Sequence, residues 1–109
     1  MGIEKITSTE EFEKIYSEGD IPIILKFYTE TCNPCKSLSI IIQRLEPQFR
    51  GKVRFVKTRA DENVKLAQQF RVTAVPTLII VDSNKEIERA QGLITENSLA
   101  QKIHELIAE

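Results

Sequence analysis

The run Ile21-Pro22-Ile23-Ile24-Leu25-Lys26-Phe27-Tyr28 constrains the fold of this chain more than any other stretch. It is almost continuously apolar and rich in branched and aromatic side chains, the pattern of a strand covered on both faces. Such a strand needs a sheet with helices on either side. Period-two alternation puts Ile23, Leu25 and Phe27 on one face and Ile24, Lys26 and Tyr28 on the other, which leaves Lys26 as a charged residue in an apolar setting.

The run ends at Thr31-Cys32-Asn33-Pro34-Cys35-Lys36, which holds the only two cysteines of the chain. Beyond it, Leu38, Ile41, Ile42, Leu45 and Phe49 recur at helical spacing, so the cysteines stand where a strand stops and an amphipathic helix starts. Pro34 suits the first turn of that helix, whereas Pro47 near its far end is expected to bend or loosen it. A C-x-x-C pair at such a junction specifies chemistry rather than packing.

Composition narrows which chemistry. With 109 residues, 41% of them hydrophobic and 28% charged, the chain reads as one soluble domain, residues 1–109, able to bury a core without staples. The net charge of -1 argues against nucleic acid as a partner, because phosphate binding needs a concentrated basic face, and Arg54, Lys57 and Arg59 read as a solvated cluster. Met1-Gly2-Ile3-Glu4-Lys5 leads into a polar, acidic segment with no apolar targeting core, so a cytoplasmic protein with no membrane association is expected. In a reducing compartment a lone cysteine pair is catalytic or metal-binding rather than structural. His104, the only histidine, lies off the apolar stripe of its helix and reads as solvated; no four-ligand zinc site is expected within one chain. A metal shared between two chains through Cys32 and Cys35 is the remaining metal-binding alternative.

The other elements follow from periodicity and turn signals. Residues 3–6 suit a short strand, and Ser8 with Glu11 has capping-box spacing ahead of a helix with Phe12, Ile15 and Tyr16 on one stripe. Val53, Phe55 and Val56 read as a strand, and Asp61 as the cap of a short helix with Val64, Ala67 and Phe70 inward. Residues 77–81 form another apolar strand, residues 82–85 a turn in which Asn84 tolerates a left-handed conformation, and residues 86–91 an antiparallel return. A last helix begins near Thr95 with Leu99, Ile103, Leu106 and Ile107 on one side. The order β-α-β-α-β-α-β-β-α implies an α/β fold, a central mixed sheet with helices on both faces.

These residues resemble the thioredoxin family, for which a C-x-x-C beside a βαβ pattern is a signature. Leu25-Lys26-Phe27-Tyr28 leading to Cys32-Asn33-Pro34-Cys35-Lys36 is similar to its active-site segment, Val75-Pro76-Thr77 to its cis-proline loop, Gly92 to a glycine after its last strand and Lys57 to a lysine on its central strand. The resemblance covers essentially the whole chain and implies the thioredoxin fold. Four positions depart from the family pattern. Asn33-Pro34 replaces Gly-Pro, Thr31 and Tyr28 stand at tryptophan positions, and Lys26 replaces a buried carboxylate.

The resemblance implies a protein dithiol–disulfide oxidoreductase with no cofactor beyond its own cysteine pair, protein disulfides as substrates and a thioredoxin-reductase-type electron donor; a monomer is expected. Cys32, exposed at a helix start where free N–H groups favour a thiolate, would attack, and Cys35, one turn inward, would resolve the mixed disulfide. Pro34 would stiffen the turn. A cis Val75–Pro76 bond, implied by the resemblance, would bring the backbone of Ala74 and Val75 beside the sulfurs to pair with an extended substrate. Thr31, Ala74, Val75 and Gly92 would line that groove, with Asn33, Pro34, Pro76, Lys26 and Lys57 supporting the site. Lys26 has two readings. Its stem packs under the second helix while the amine reaches solvent or an acid, or the amine lies near Cys35, where a charged amine would favour thiolates and a neutral one, with Lys57 beside it, could accept the Cys35 proton, making the pair more oxidising or shifting its pH dependence. The alternative function is a thioredoxin-fold binding or scaffold module using the same groove with little or no turnover.

Overall fold

Two apolar layers divide the chain, one on each face of a five-stranded sheet, and the alternation along Ile21–Tyr28 feeds both. A computed structural model describes residues 2–83 and 85–108. In chain order the elements are β1 (Glu4–Lys5), α1 (Thr9–Glu18), β2 (Ile23–Tyr28), α2 (Asn33–Phe49), β3 (Arg54–Arg59), α3 (Val64–Gln69), β4 (Thr77–Asp82), β5 (Lys85–Gln91) and α4 (Glu96–Ile107). The sheet order is β1-β3-β2-β4-β5. β1, β3 and β2 run parallel, β4 is antiparallel to β2, and β5 is antiparallel to β4, so the sheet is mixed.

Ile23, Leu25 and Phe27 of β2 join Phe12 and Ile15 of α1 and Leu66 and Ala67 of α3 in one core. Ile24 joins Leu38, Ile42, Leu45 and Phe49 of α2 and Leu99 and Ile103 of α4 in the other. This is the thioredoxin fold expected from the sequence, with β2 at its centre. Burial of both faces explains why β2 lacks a polar side except at Lys26 and the half-buried Tyr28.

The helix ends are held by local hydrogen bonds. Ser8 Oγ accepts from Glu11 N–H (3.1 Å) at the start of α1, and Thr95 Oγ1 accepts from Ser98 N–H (3.1 Å) at the start of α4. Glu11 reaches one residue further back than a capping box requires. Its carboxylate accepts from the Thr7 N–H (3.0 Å) and hydroxyl (2.6 Å). α2 continues through Pro47 to Phe49, and the chain then turns at Gly51, whose φ of +85° favours glycine.

Three local expectations are corrected. Asp61 does not cap α3, because it is bound to Arg59 Nη2 (2.7 Å); Asn63 stands at the cap, its side chain instead donating to Thr58 Oγ1 (3.2 Å) inside the protein. Val64 faces solvent at 51% exposure, and Leu66, Ala67 and the half-buried Phe70 form the inner side of α3. The basic cluster is not simply solvated, since Arg54 pairs with Glu4 and Glu18, and Arg59 with Asp61 and Glu62. The conformation expected of Asn84 lies outside the described residues, while the flanking strands β4 and β5 form the anticipated hairpin. His104 is exposed as expected, and its ring meets Phe49 edge-on with centroids 5.0 Å apart.

Candidate active site

Cys32 is the N-cap of α2. Its Sγ accepts a hydrogen bond from Cys35 N–H (3.1 Å), and its carbonyl accepts from Lys36 N–H (3.2 Å). The first turn of α2 contains no Asp or Glu, so the positive end of the helix faces the sulfur unopposed. Pro34 lies in that turn, where a missing N–H leaves no bond unmade. Cys32 and Cys35 are joined in a disulfide with their Cα atoms 5.2 Å apart. Cys35 is only 2% exposed, Cys32 is half-buried, and Thr31, Asn33 and Pro34 are exposed. The two sulfurs therefore differ in access.

Sheet register brings a second segment to the same end of the molecule. Thr77, the first residue of β4, pairs with Phe27 of β2 and with Gln91 of β5. β4 therefore begins where β2 finishes, and residues 74–76 lie just outside the sheet at the end from which the cysteine loop departs. The Val75–Pro76 bond is cis. Thr77 Oγ1 donates to the Ala74 carbonyl (2.6 Å), and Gly92 N–H donates to the Pro76 carbonyl (2.8 Å), which fixes both sides of this loop. Gly92 has φ of +80°, a conformation that favours glycine. Beside the loop opens a cavity of about 360 Å³ lined mainly by Thr29, Ala60, Val64, Val72, Ala74 and Val75. Val75 is half-buried, Ala74 exposed and Pro76 buried.

Lys26 takes neither of the exits its side chain was expected to seek. It is 3% exposed, and its Nζ donates to Ser39 Oγ (2.6 Å) on the underside of α2. The amine also lies 5.2 Å from the centre of the Tyr28 ring, and Lys57, its register partner on β3, places its own amine 5.7 Å from the same ring. Burial first, then the charge of Lys57, push the Lys26 amine down to about 8. Ser39 was not singled out from the sequence. Its signal was spacing, because Ser39 follows Cys35 by four residues on a helix packed over the Lys26 face of β2.

The thioredoxin family model matches residues 3–105. The chain is 34% identical over 97 residues to thioredoxin of Haemophilus influenzae, covering 89% of this chain and 91% of that one. The chain belongs to the thioredoxin family. Among solved structures it is similar to mitochondrial thioredoxin 3 of Saccharomyces cerevisiae in its oxidised form (TM-score 0.85, 30% identity, 95% of each chain). It is also similar to Fasciola hepatica thioredoxin (TM-score 0.87, 26% identity, 94% of this chain and 98% of that one). As the thioredoxin family does, it acts as a thiol–disulfide oxidoreductase whose redox centre is a cysteine pair, here Cys32 and Cys35. The family acts on protein disulfides and is served by reductase partners. Among the described residues no group of three or more His, Cys, Asp or Glu side chains is placed to hold a metal ion, and no helix is long and apolar enough to cross a membrane.

Proposed function

We propose that this thioredoxin-family protein reduces protein disulfides with Cys32 as attacking and Cys35 as resolving sulfur. The observation that carries the assignment is their unequal burial across one turn of α2, with the more accessible sulfur at the helix N-terminus. Cys32 as thiolate is favoured by the free N–H groups and dipole of the first turn, and by the Cys35 N–H already directed at its sulfur. It attacks one sulfur of the substrate disulfide, and the other substrate sulfur leaves and takes a proton. Cys35 then displaces the remaining substrate sulfur from Cys32, closing the Cys32–Cys35 bond. Pro34 keeps the turn rigid between the two steps.

The substrate strand runs along the backbone of Ala74 and Val75, next to Pro76, with Thr31, Asn33 and Gly92 forming the rim. In support, these residues cluster at one end of the sheet, and hydrogen bonds from Thr77 and Gly92 brace the loop. Lys57 supports the site through Tyr28, over whose ring its ammonium lies. The protein works as one domain of residues 1–109, as a monomer in the cytoplasm, without membrane or nucleic acid, and receives electrons from a thioredoxin-reductase-type donor.

Insulin disulfide reduction with dithiothreitol tests the reading. Wild type accelerates precipitation of the insulin B chain, and Cys32→Ser does not exceed the uncatalysed rate. Equal rates for wild type and mutant would reject the oxidoreductase assignment.

A further inference from the structure

The buried ion seated against Ser39 on the underside of α2 is a cation. We propose that the Lys26 ammonium, seated against Ser39, stabilises the thiolate of Cys35 and thereby makes the cysteine pair more oxidising than a neutral side chain at this position would. This builds on the assignment of Cys35 as the resolving sulfur.

Placement carries the inference. Cys35 and Ser39 are four residues apart on α2, so their Cβ atoms lie about 5–6 Å from each other on one helix face. Lys26 Nζ is 2.6 Å from Ser39 Oγ, and both Lys26 and Cys35 are almost fully buried. With Lys26 and Cys35 both withdrawn from solvent, a charge one helical turn away is screened less than at the surface. The groups facing Lys26 are Lys57 from β3, Tyr28 on β2 itself, Ser39 from α2 and the apolar Leu78 from β4. Among the described residues no carboxylate pairs with its amine, so the charge is not cancelled locally. With the disulfide closed, the ammonium has no anion and two repelling influences, burial and Lys57, which bring its titration down to about 8. Opening the disulfide supplies the missing anion.

The redox step balances without further reagents. In the dithiol state Cys35 has already given its proton to solvent, and in the resolving step its thiolate attacks Cys32 Sγ. The Cys32–Cys35 bond forms as the bond from Cys32 to the substrate sulfur breaks, and the substrate leaves as a thiolate that takes up a proton. The cysteine pair is oxidised by two electrons and the substrate disulfide is reduced by two. Lys26 keeps its proton throughout and acts as a positioning charge. By linkage, reduction of the disulfide raises the affinity of Lys26 for its proton, so the dithiol form binds it more tightly than the disulfide form.

Two measurements test this. Equilibration with a glutathione redox buffer at pH 7 reads the oxidised fraction without any protein substrate, so its outcome is separable from that of the insulin assay. Lys26→Met should move the equilibrium about tenfold towards the disulfide, equivalent to a potential about 30 mV more negative. No shift, or a shift the other way, overturns the proposal. In wild type, NMR titration of Lys26 Nζ should give a higher midpoint in the dithiol than in the disulfide form. Coincident midpoints overturn the proposal irrespective of how the variant folds.

Discussion

At the scale of single residues, Lys26 couples folding to pH. Its amine titrates near 8 in the folded protein with the disulfide closed, against 10.5 for an ordinary lysine. Below pH 8 folded and unfolded chains both carry the ammonium, and the folded one bears the full desolvation penalty. Between 8 and 10.5 the unfolded chain binds more protons, so stability rises with pH, and above 10.5 both are neutral. The span corresponds to about 3 kcal/mol. Urea denaturation of the oxidised protein should therefore show Lys26→Met more stable than wild type at pH 7, with the gap closing by about 3 kcal/mol towards pH 10.5. A gap that stays constant across this range would mean that burial does not perturb Lys26. Glu46 shows the opposite arrangement, a buried carboxylate held below its ordinary range by its hydrogen bonds and ion pair with Arg50 (2.6 Å), which leaves no uncompensated charge.

At the scale of elements, each helix has one buried stripe, and the energetic contrast between stripe and outer face can be measured. Ile103 of α4 is fully buried against α2 and the sheet, so Ile103→Ala should cost about 2–5 kcal/mol in denaturant unfolding. Val64 opens α3 but points outward, and Val64→Ala should stay within about 0.5 kcal/mol of wild type. Comparable losses at the two sites would restore the inward orientation that the spacing of Val64, Ala67 and Phe70 suggested. A helix of only six residues has too few apolar positions for its period to be unique. Either Val64 or Leu66 satisfies the pattern with Ala67, and the packing of α3 against Phe27 and Val56 selects Leu66. α2 carried no such ambiguity, because its five apolar positions over four turns define a single stripe.

At the scale of the whole molecule, β2 has a neighbour on each side and a core on each face, whereas β1 is two residues long and β5 is an edge strand with mostly charged residues. Amide hydrogen exchange should be slowest in β2, β3 and β4, with protection close to the global unfolding free energy, and fast in β1. Protection in β1 equal to that in β2 would contradict this hierarchy. The sequence by itself determined the order of elements, the two faces of β2 and the junction that holds Cys32 and Cys35, because periodicity and strand-to-helix transitions are written in neighbouring residues. Gly92 and Val75-Pro76-Thr77 were legible through family resemblance, since nothing local ties them to the cysteines. Tertiary structure alone decided that Asp61 answers Arg59 rather than the start of α3, and that the amine of Lys26 ends at Ser39 with Lys57 alongside. Those outcomes depend on which element lies over which face and in what register. For a buried charge that is decisive, since the partners that set its energy come from strands and helices distant in the chain.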